Sequence, residues 1–160
     1  MKDLARQTHL PKNVIIVEQN PNKNSVSELD YLTSEVWPFI IKHEFTHQPG
    51  VCNARNIALS KVESDWVLLG DDDNCFESNL IECLFKEMEA YGVNVGLTVY
   101  LQPSEIQTYL KTAQTHIFGA GNALIKSSLL KNVSFNTKYE FNYGEDSDFG
   151  MQLRLSLIHI

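Results

Sequence analysis

Apolar runs and helical stripes take turns along the chain. Val14-Ile15-Ile16-Val17 is a continuous β-branched run, the pattern of a parallel strand covered on both faces. It gives way to the turn-rich Glu18-Gln19-Asn20-Pro21-Asn22. Ser25 and Glu28 have the spacing of a capping box and predict a helix through about Ser34. Pro38 to Ile41 reads as a short strand. Val51, Ala54, Ala58 and Leu59 recur at helical spacing within 50–62. Trp66-Val67-Leu68-Leu69 predicts another strand. Ser78 to Tyr91 predicts an amphipathic helix with Leu80, Ile81, Leu84, Phe85 and Met88 on one face, stopped by Gly92. Val93 to Leu101 reads as a strand, and 106–118 fits helix and strand equally. Ser127 to Leu130 reads as a short helix and Asp146 to Arg154 as the last one. Such alternation predicts an α/β fold: an open, mostly parallel twisted sheet flanked by helices. Ligands of such sheets bind beyond the carboxyl ends of the strands, where Glu18 and an acidic triplet both fall.

That triplet, Asp71-Asp72-Asp73, ends the apolar run from Trp66 to Gly70. Adjacent carboxylates repel one another and resist burial, so the strand stops at water or at a cation. If strand alternation persists, Asp71 and Asp73 share one side and Asp72 takes the other. Two oxygen ligands on one side suit Mg²⁺ or Mn²⁺, with phosphate oxygens and water completing the shell. A solvated acidic turn accounts for the triplet equally well. An EF-hand loop does not, because the spaced ligands, central Gly and terminal Glu are missing.

The 160 residues are enough for one domain with a real core, and 43% hydrophobic residues is ordinary for a globular chain. A net charge of −7 argues against a general nucleic-acid binder and against a polybasic membrane anchor. Cys52, Cys75 and Cys83 are odd in number and lack C-x-x-C spacing, which predicts reduced, buried thiols and a cytoplasmic location. No apolar stretch approaches 18 residues, so the chain reads as soluble, with peripheral membrane association left open for the parent protein.

The triplet has company. Gln48 to Leu59 contains Ala54-Arg55-Asn56, Phe118-Gly119-Ala120-Gly121-Asn122 forms a glycine-rich turn, and Tyr143-Gly144-Glu145-Asp146-Ser147-Asp148 opens the last helix. In this order the segments resemble the family-2 glycosyltransferases of the GT-A fold, over roughly residues 1 to 154. The resemblance implies an inverting, metal-dependent glycosyltransferase. It would move a sugar from a nucleotide diphosphate sugar to the hydroxyl of a saccharide or lipid-linked acceptor, as in polysaccharide biosynthesis. Asp73 and Asp71 would hold Mn²⁺ or Mg²⁺ against the diphosphate. Glu18, standing where the family usually has Asp, would contact the base with Arg55, Asp71 and Asp72 as further donor-binding residues. Asp146 would be the catalytic base, with Glu145 beside it. Gly121, Asn122 and Asp148 would lie at the acceptor.

Chemistry offers alternatives for several of these. An Arg fork and a helix N-terminus can hold phosphate oxygens, but Arg55 can also pair with a neighbouring carboxylate such as Asp71. Asn56 reads as a structural hydrogen-bonding residue. Glu145 and Asp146 also fit the acidic first turn that any helix favours. Trp37 and Trp66 read as packing residues before sugar platforms. The signature of processive polysaccharide synthases is not found. A nucleotidyltransferase on a similar sheet, or an inactive sugar- or nucleotide-binding module, remains a competing function.

Both ends stand out. Met1 to Thr8 resembles the end of the family's first helix without the strand before it, so the chain is expected to be an internal piece of a longer protein. Leu155 to Ile160 breaks the polar pattern and matches a translated transposase adapter, so it reads as a non-native tail in which His159 is not a metal ligand. The domain is then expected to span 1–154.

Overall fold

The structure is a computed structural model and describes residues 1–98, 112, 113, 115, 117–141 and 143–158. A short helix, α1 (Lys2–Ala5), precedes β1 (Asn13–Gln19). After α2 (Tyr31–Ser34), β2 (Ile40–Thr46) pairs with β1 in parallel, Asn13 opposite Ile40 and Gln19 opposite Thr46. The apolar run thus makes the expected parallel strand. Every position of β1 is half-buried, however, so neither face is fully covered by the described residues.

No capping-box helix forms at Ser25. Residues 25–29 are irregular, and only one helical turn follows. The Glu18 carboxylate explains this, because it accepts both the Ser27 hydroxyl and the Glu28 N–H. A partner fixed by β1 outcompetes a purely local cap. β2 in turn runs five residues past the expected Ile41. Lys42 and Glu44 share its outer face and pair with Glu63 at 2.8 Å and Lys61 at 2.7 Å, so these polar positions suit a strand.

Next come α3 (Val51–Ser60), β3 (Trp66–Leu68), α4 (Leu80–Tyr91), β4 (Val95–Leu97) and β5 (Ala123–Lys126). β5 lies between β3 and β4 and runs antiparallel to both. It was not among the expected strands, since only Ala123, Leu124 and Ile125 are apolar and a glycine-rich turn runs straight into them. Gly92 stops α4 as expected, at φ +63°. The expected strand at 93–101 is realised over Val95–Leu97, and its residues 99–101 lie outside the described ones. Of 106–118, only 112, 113, 115, 117 and 118 are described, in neither helix nor strand. Ser127–Leu130 is a 3₁₀ turn. The last helix, α5 (Glu145–Ile158), continues past Arg154, and His159 lies outside the described residues.

The main core gathers Cys52 of α3, Ala123 and Ile125 of β5, and Phe149 and Leu153 of α5 around Phe135. Phe135 and Phe149 stack at 4.0 Å. A second cluster sets Leu84 and Met88 of α4 against Leu124, with Trp66 edge-on to Phe85 at 5.4 Å. Trp37 stacks on Phe39 at 6.0 Å. Both tryptophans therefore pack against protein rings.

Candidate functional site

The site is organised from α3. Gly50 precedes it at φ +134°, a conformation side chains rarely adopt, and the Gln19 amide grips both its N–H and its carbonyl. The end of β1 thereby fixes where α3 starts. Glu140, just past the 3₁₀ turn Thr137–Tyr139, then caps the helix: its carboxylate accepts the N–H of Cys52 at 3.2 Å and of Asn53 at 2.6 Å. This corrects one expectation. The helix start offered as a phosphate cradle is already filled by an anion of the protein itself.

Asn56 behaves as a structural residue. Its amide makes both bonds to the backbone of Phe135, at 2.7 and 2.8 Å. That grip brings the Phe135 ring beneath Arg55, whose guanidinium lies 5.1 Å from the ring centroid. Arg55 is only 16% exposed and reaches three acids. Nη2 binds Asp71 Oδ1 at 3.0 Å, Nη1 binds Asp146 Oδ1 at 3.1 Å, and Glu145 Oε1 lies 3.8 Å from Nη1. Pairing with Asp71 was one of the alternatives read from the sequence. The link to Asp146 was not.

The acidic triplet lies beyond the strand. β3 ends at Leu68, and Asp71 to Asn74 form a turn closed by Asn74 N–H to the Asp71 carbonyl at 3.3 Å. Strand alternation therefore does not decide which way Asp73 points. Asp71 N–H and the Asn74 amide both donate to the Gly121 carbonyl. Asp72 and Asp73 are exposed, and their carboxylates accept no hydrogen bond from the described residues.

Gly121 and Asn122 belong to a buried 3₁₀ turn, Ala120–Asn122. Asn122 is 5% exposed, and its amide donates to the Thr98 carbonyl. Its side chain ties this turn to the end of β4 and does not face solvent. Nor does Gly119 need to be glycine for space, since a Cβ there would meet Asn122 at an ordinary 3.8 Å. The turn's contribution to the site is backbone: Gly121 C=O holds the acidic turn, and Ala120 N–H donates to Asp146 Oδ2 at 2.9 Å.

Asp146 is thus held at both oxygens, by Arg55 and by Ala120, and is still 32% exposed. Asp148 points elsewhere. It accepts from Gln152 at 2.7 Å, and Gln152 also clasps the backbone of Ser134. Glu18 is engaged too: Ser27, Glu28 N–H and His43 Nε2, at 3.0 Å, all meet its carboxylate. Burial raises its pKa, but the hydrogen bonds from Glu28, Ser27 and His43 outweigh that and hold it below the ordinary value. Sequence reading missed Glu140, His43 and Phe135 as parts of this arrangement. A single acid or ring carries no local signal when its partner lies 87 or 79 residues away.

The donor set fits a hard divalent cation. The acids of the turn supply only oxygen, two of the three are unengaged, and all three are exposed, as a metal shared with phosphate and water requires. Among the described residues no group of three His, Cys, Asp or Glu side chains could hold a metal alone. Any such ion would draw its remaining ligands from substrate. Asp146, held at both oxygens, stands across Arg55 from that turn.

The sequence profile of Glycosyl transferase family 2 matches residues 1–145. An uncharacterised glycosyltransferase of Haemophilus influenzae is 28% identical over 120 residues, 67% of this chain and 39% of that protein. The crystal structure of Staphylococcus aureus TarS 1–349 superposes with a TM-score of 0.72 at 18% identity, over 97% of this chain and 50% of that one. Its complex with UDP-GlcNAc gives 0.68 at 18% identity over 97% and 48%. The chain thus spans about half, or less, of the proteins it matches. The fold is that of these glycosyltransferase structures, and the chain belongs to glycosyl transferase family 2.

Proposed function

We propose that the chain is the donor-binding and catalytic part of an inverting glycosyltransferase that uses a nucleotide diphosphate sugar. The observation that carries this reading is the guanidinium of Arg55 bound to Asp71 on one side and Asp146 on the other. It sets an acid suited to a metal-held diphosphate beside an acid suited to a base. The TarS structures with UDP and with UDP-GlcNAc support a nucleotide-sugar donor.

Asp71 and Asp73 would hold Mn²⁺ or Mg²⁺. Such a cation, when bound, stabilises negative charge as it develops on the departing diphosphate. Asp146 accepts the proton of the acceptor hydroxyl. The hydroxyl oxygen then bonds to the anomeric carbon from the face opposite the diphosphate, whose bond to that carbon breaks with both electrons leaving on the phosphate oxygen. Configuration inverts. The acceptor is a saccharide or a lipid-linked hydroxyl. No described helix is long and apolar enough to cross a membrane.

The test is Asp146→Asn in the full-length protein. Asn keeps one of the two acceptor oxygens that Arg55 and Ala120 hold, but it accepts no proton from the acceptor. Turnover should fall about 10²-fold or more while UDP binding with Mn²⁺ stays within about threefold. Unimpaired turnover removes Asp146 as the base.

A further inference from the structure

We infer that Arg55 is a positioning residue that acts through Asp146, and not a ligand of the donor's phosphates. This rests on the reading of Asp146 as the base.

Charge is the first argument. One guanidinium faces three carboxylates, Asp71, Glu145 and Asp146. The local surplus is negative, so a diphosphate approaching Arg55 meets acids before it meets a free cation. The cation belongs instead to the acidic turn. Turning Arg55 to phosphate would also break its bonds to Asp71 and Asp146 and leave two carboxylates facing each other across the gap.

Geometry is the second. The guanidinium is a rigid planar fork, and here each terminal nitrogen takes a different acid. The fork therefore fixes the spacing between Asp71, where leaving-group charge is met, and Asp146, where the proton is taken. In-line displacement depends on that spacing. Ala120 N–H holds the other oxygen of Asp146 at 2.9 Å, so the carboxylate plane is set from two directions, with lone pairs left for the acceptor.

The mounting is the third. Arg55 rests on Phe135, Phe135 stacks on Phe149 of α5, and Asn56 locks the Phe135 backbone. Its base side is fastened to the same helix that carries Asp146. A residue that swings to capture phosphate has no need of such a seat.

The test is a double-mutant cycle in the full-length protein with Arg55→Lys, Asp146→Asn and the pair, plus Arg55→Gln as a second variant. Two readouts are taken: calorimetric binding of UDP with Mn²⁺, and initial rates of UDP release from UDP-GlcNAc with acceptor. Lys keeps the charge but not the fork. Arg55→Lys should slow turnover about tenfold or more while UDP affinity changes by less than about threefold, and in the Asp146→Asn background it should slow nothing further, within about twofold. A tenfold or larger loss of UDP affinity in both Arg55 variants, or rate losses that multiply in the pair, overturns the inference. Absence of UDP binding in the unsubstituted protein, or full turnover by Asp146→Asn, fails the functional reading first and the inference with it.

Discussion

Gly50 leaves open the space that the carboxylate of Glu140 fills. A Cβ built on Gly50 would collide with that carboxylate, and the backbone at φ +134° already disfavours any side chain. Sequence-local and long-range demands thus fall on one residue: it must turn the chain, and it must let an acid 90 residues away reach the start of α3.

Gly50→Ala should therefore be costly. The strained backbone and the displaced cap together predict about 2–4 kcal/mol of lost stability. Urea unfolding should show a lower midpoint with an unchanged slope. Glu140→Gln keeps the shape but loses the charge and one of the two acceptors, so its midpoint should fall less. Equal midpoints for Gly50→Ala and the unsubstituted protein would show that the cap contributes nothing.

Removing a carboxylate of the acidic turn should separate binding from folding. Asp73 accepts no hydrogen bond from the described residues, so Asp73→Ala should leave the melting temperature alone. In the full-length protein it should weaken UDP binding in the presence of Mn²⁺ by about tenfold or more, as a chelator should in the unsubstituted protein. Identical calorimetric titrations with and without chelator would rule the cation out of donor binding.

Glu18 makes stability depend on acid. Its folded pKa lies below the ordinary 4.5, because the bonds from Glu28, Ser27 and His43 outweigh the burial that raises it. A depressed carboxyl stabilises the fold fully above its unfolded value and loses that contribution as pH falls through the folded one. The urea midpoint should drop from about pH 5 downward, and Glu18→Gln should flatten that part of the curve. A variant with the same acid limb would assign the loss to other carboxyls.

The thiols should divide two against one. Burial was expected for all three, yet Cys75 and Cys83 are exposed and only Cys52 is buried, at 0% exposure. Burial pushes the Cys52 thiol up, and the nearby Glu140 and Glu145 push it the same way. Ellman's reagent should titrate two thiols in the folded protein and the third only in denaturant. Three fast thiols would show that the core around α3 opens readily.

The sequence disclosed the acids and the arginine and offered the Arg55–Asp71 pair, but not the link to Asp146. Asp71 stands where an apolar run ends, and Arg55 and Asp146 lie in short motifs at the starts of helices, so their candidacy was legible. That Arg55 binds Asp146 depends on Phe135 and Asn56 packing α3 against α5, which no local period records. The capping-box reading of Ser25 and Glu28 failed for the same reason: the competing acceptor, Glu18, sits on a strand. Asn122 was expected at the acceptor and is buried, because β4 and β5 close around it. β1 and the core of α4 were legible, since long apolar stripes constrain their own partners. β5 was not, being short and reversed.

The position of β5 also sets the order in which this domain can be made. It is the middle strand of its sheet, yet it follows both neighbours in the chain, β3 by more than 50 residues. While the polypeptide leaves the ribosome, β3 and β4 have open edges toward the gap between them until residue 126 emerges. Those edges stay unpaired for that whole interval, the period in which open strand edges invite aggregation. The sheet can close only once β5 is present, so slower synthesis should lengthen the exposure of those edges.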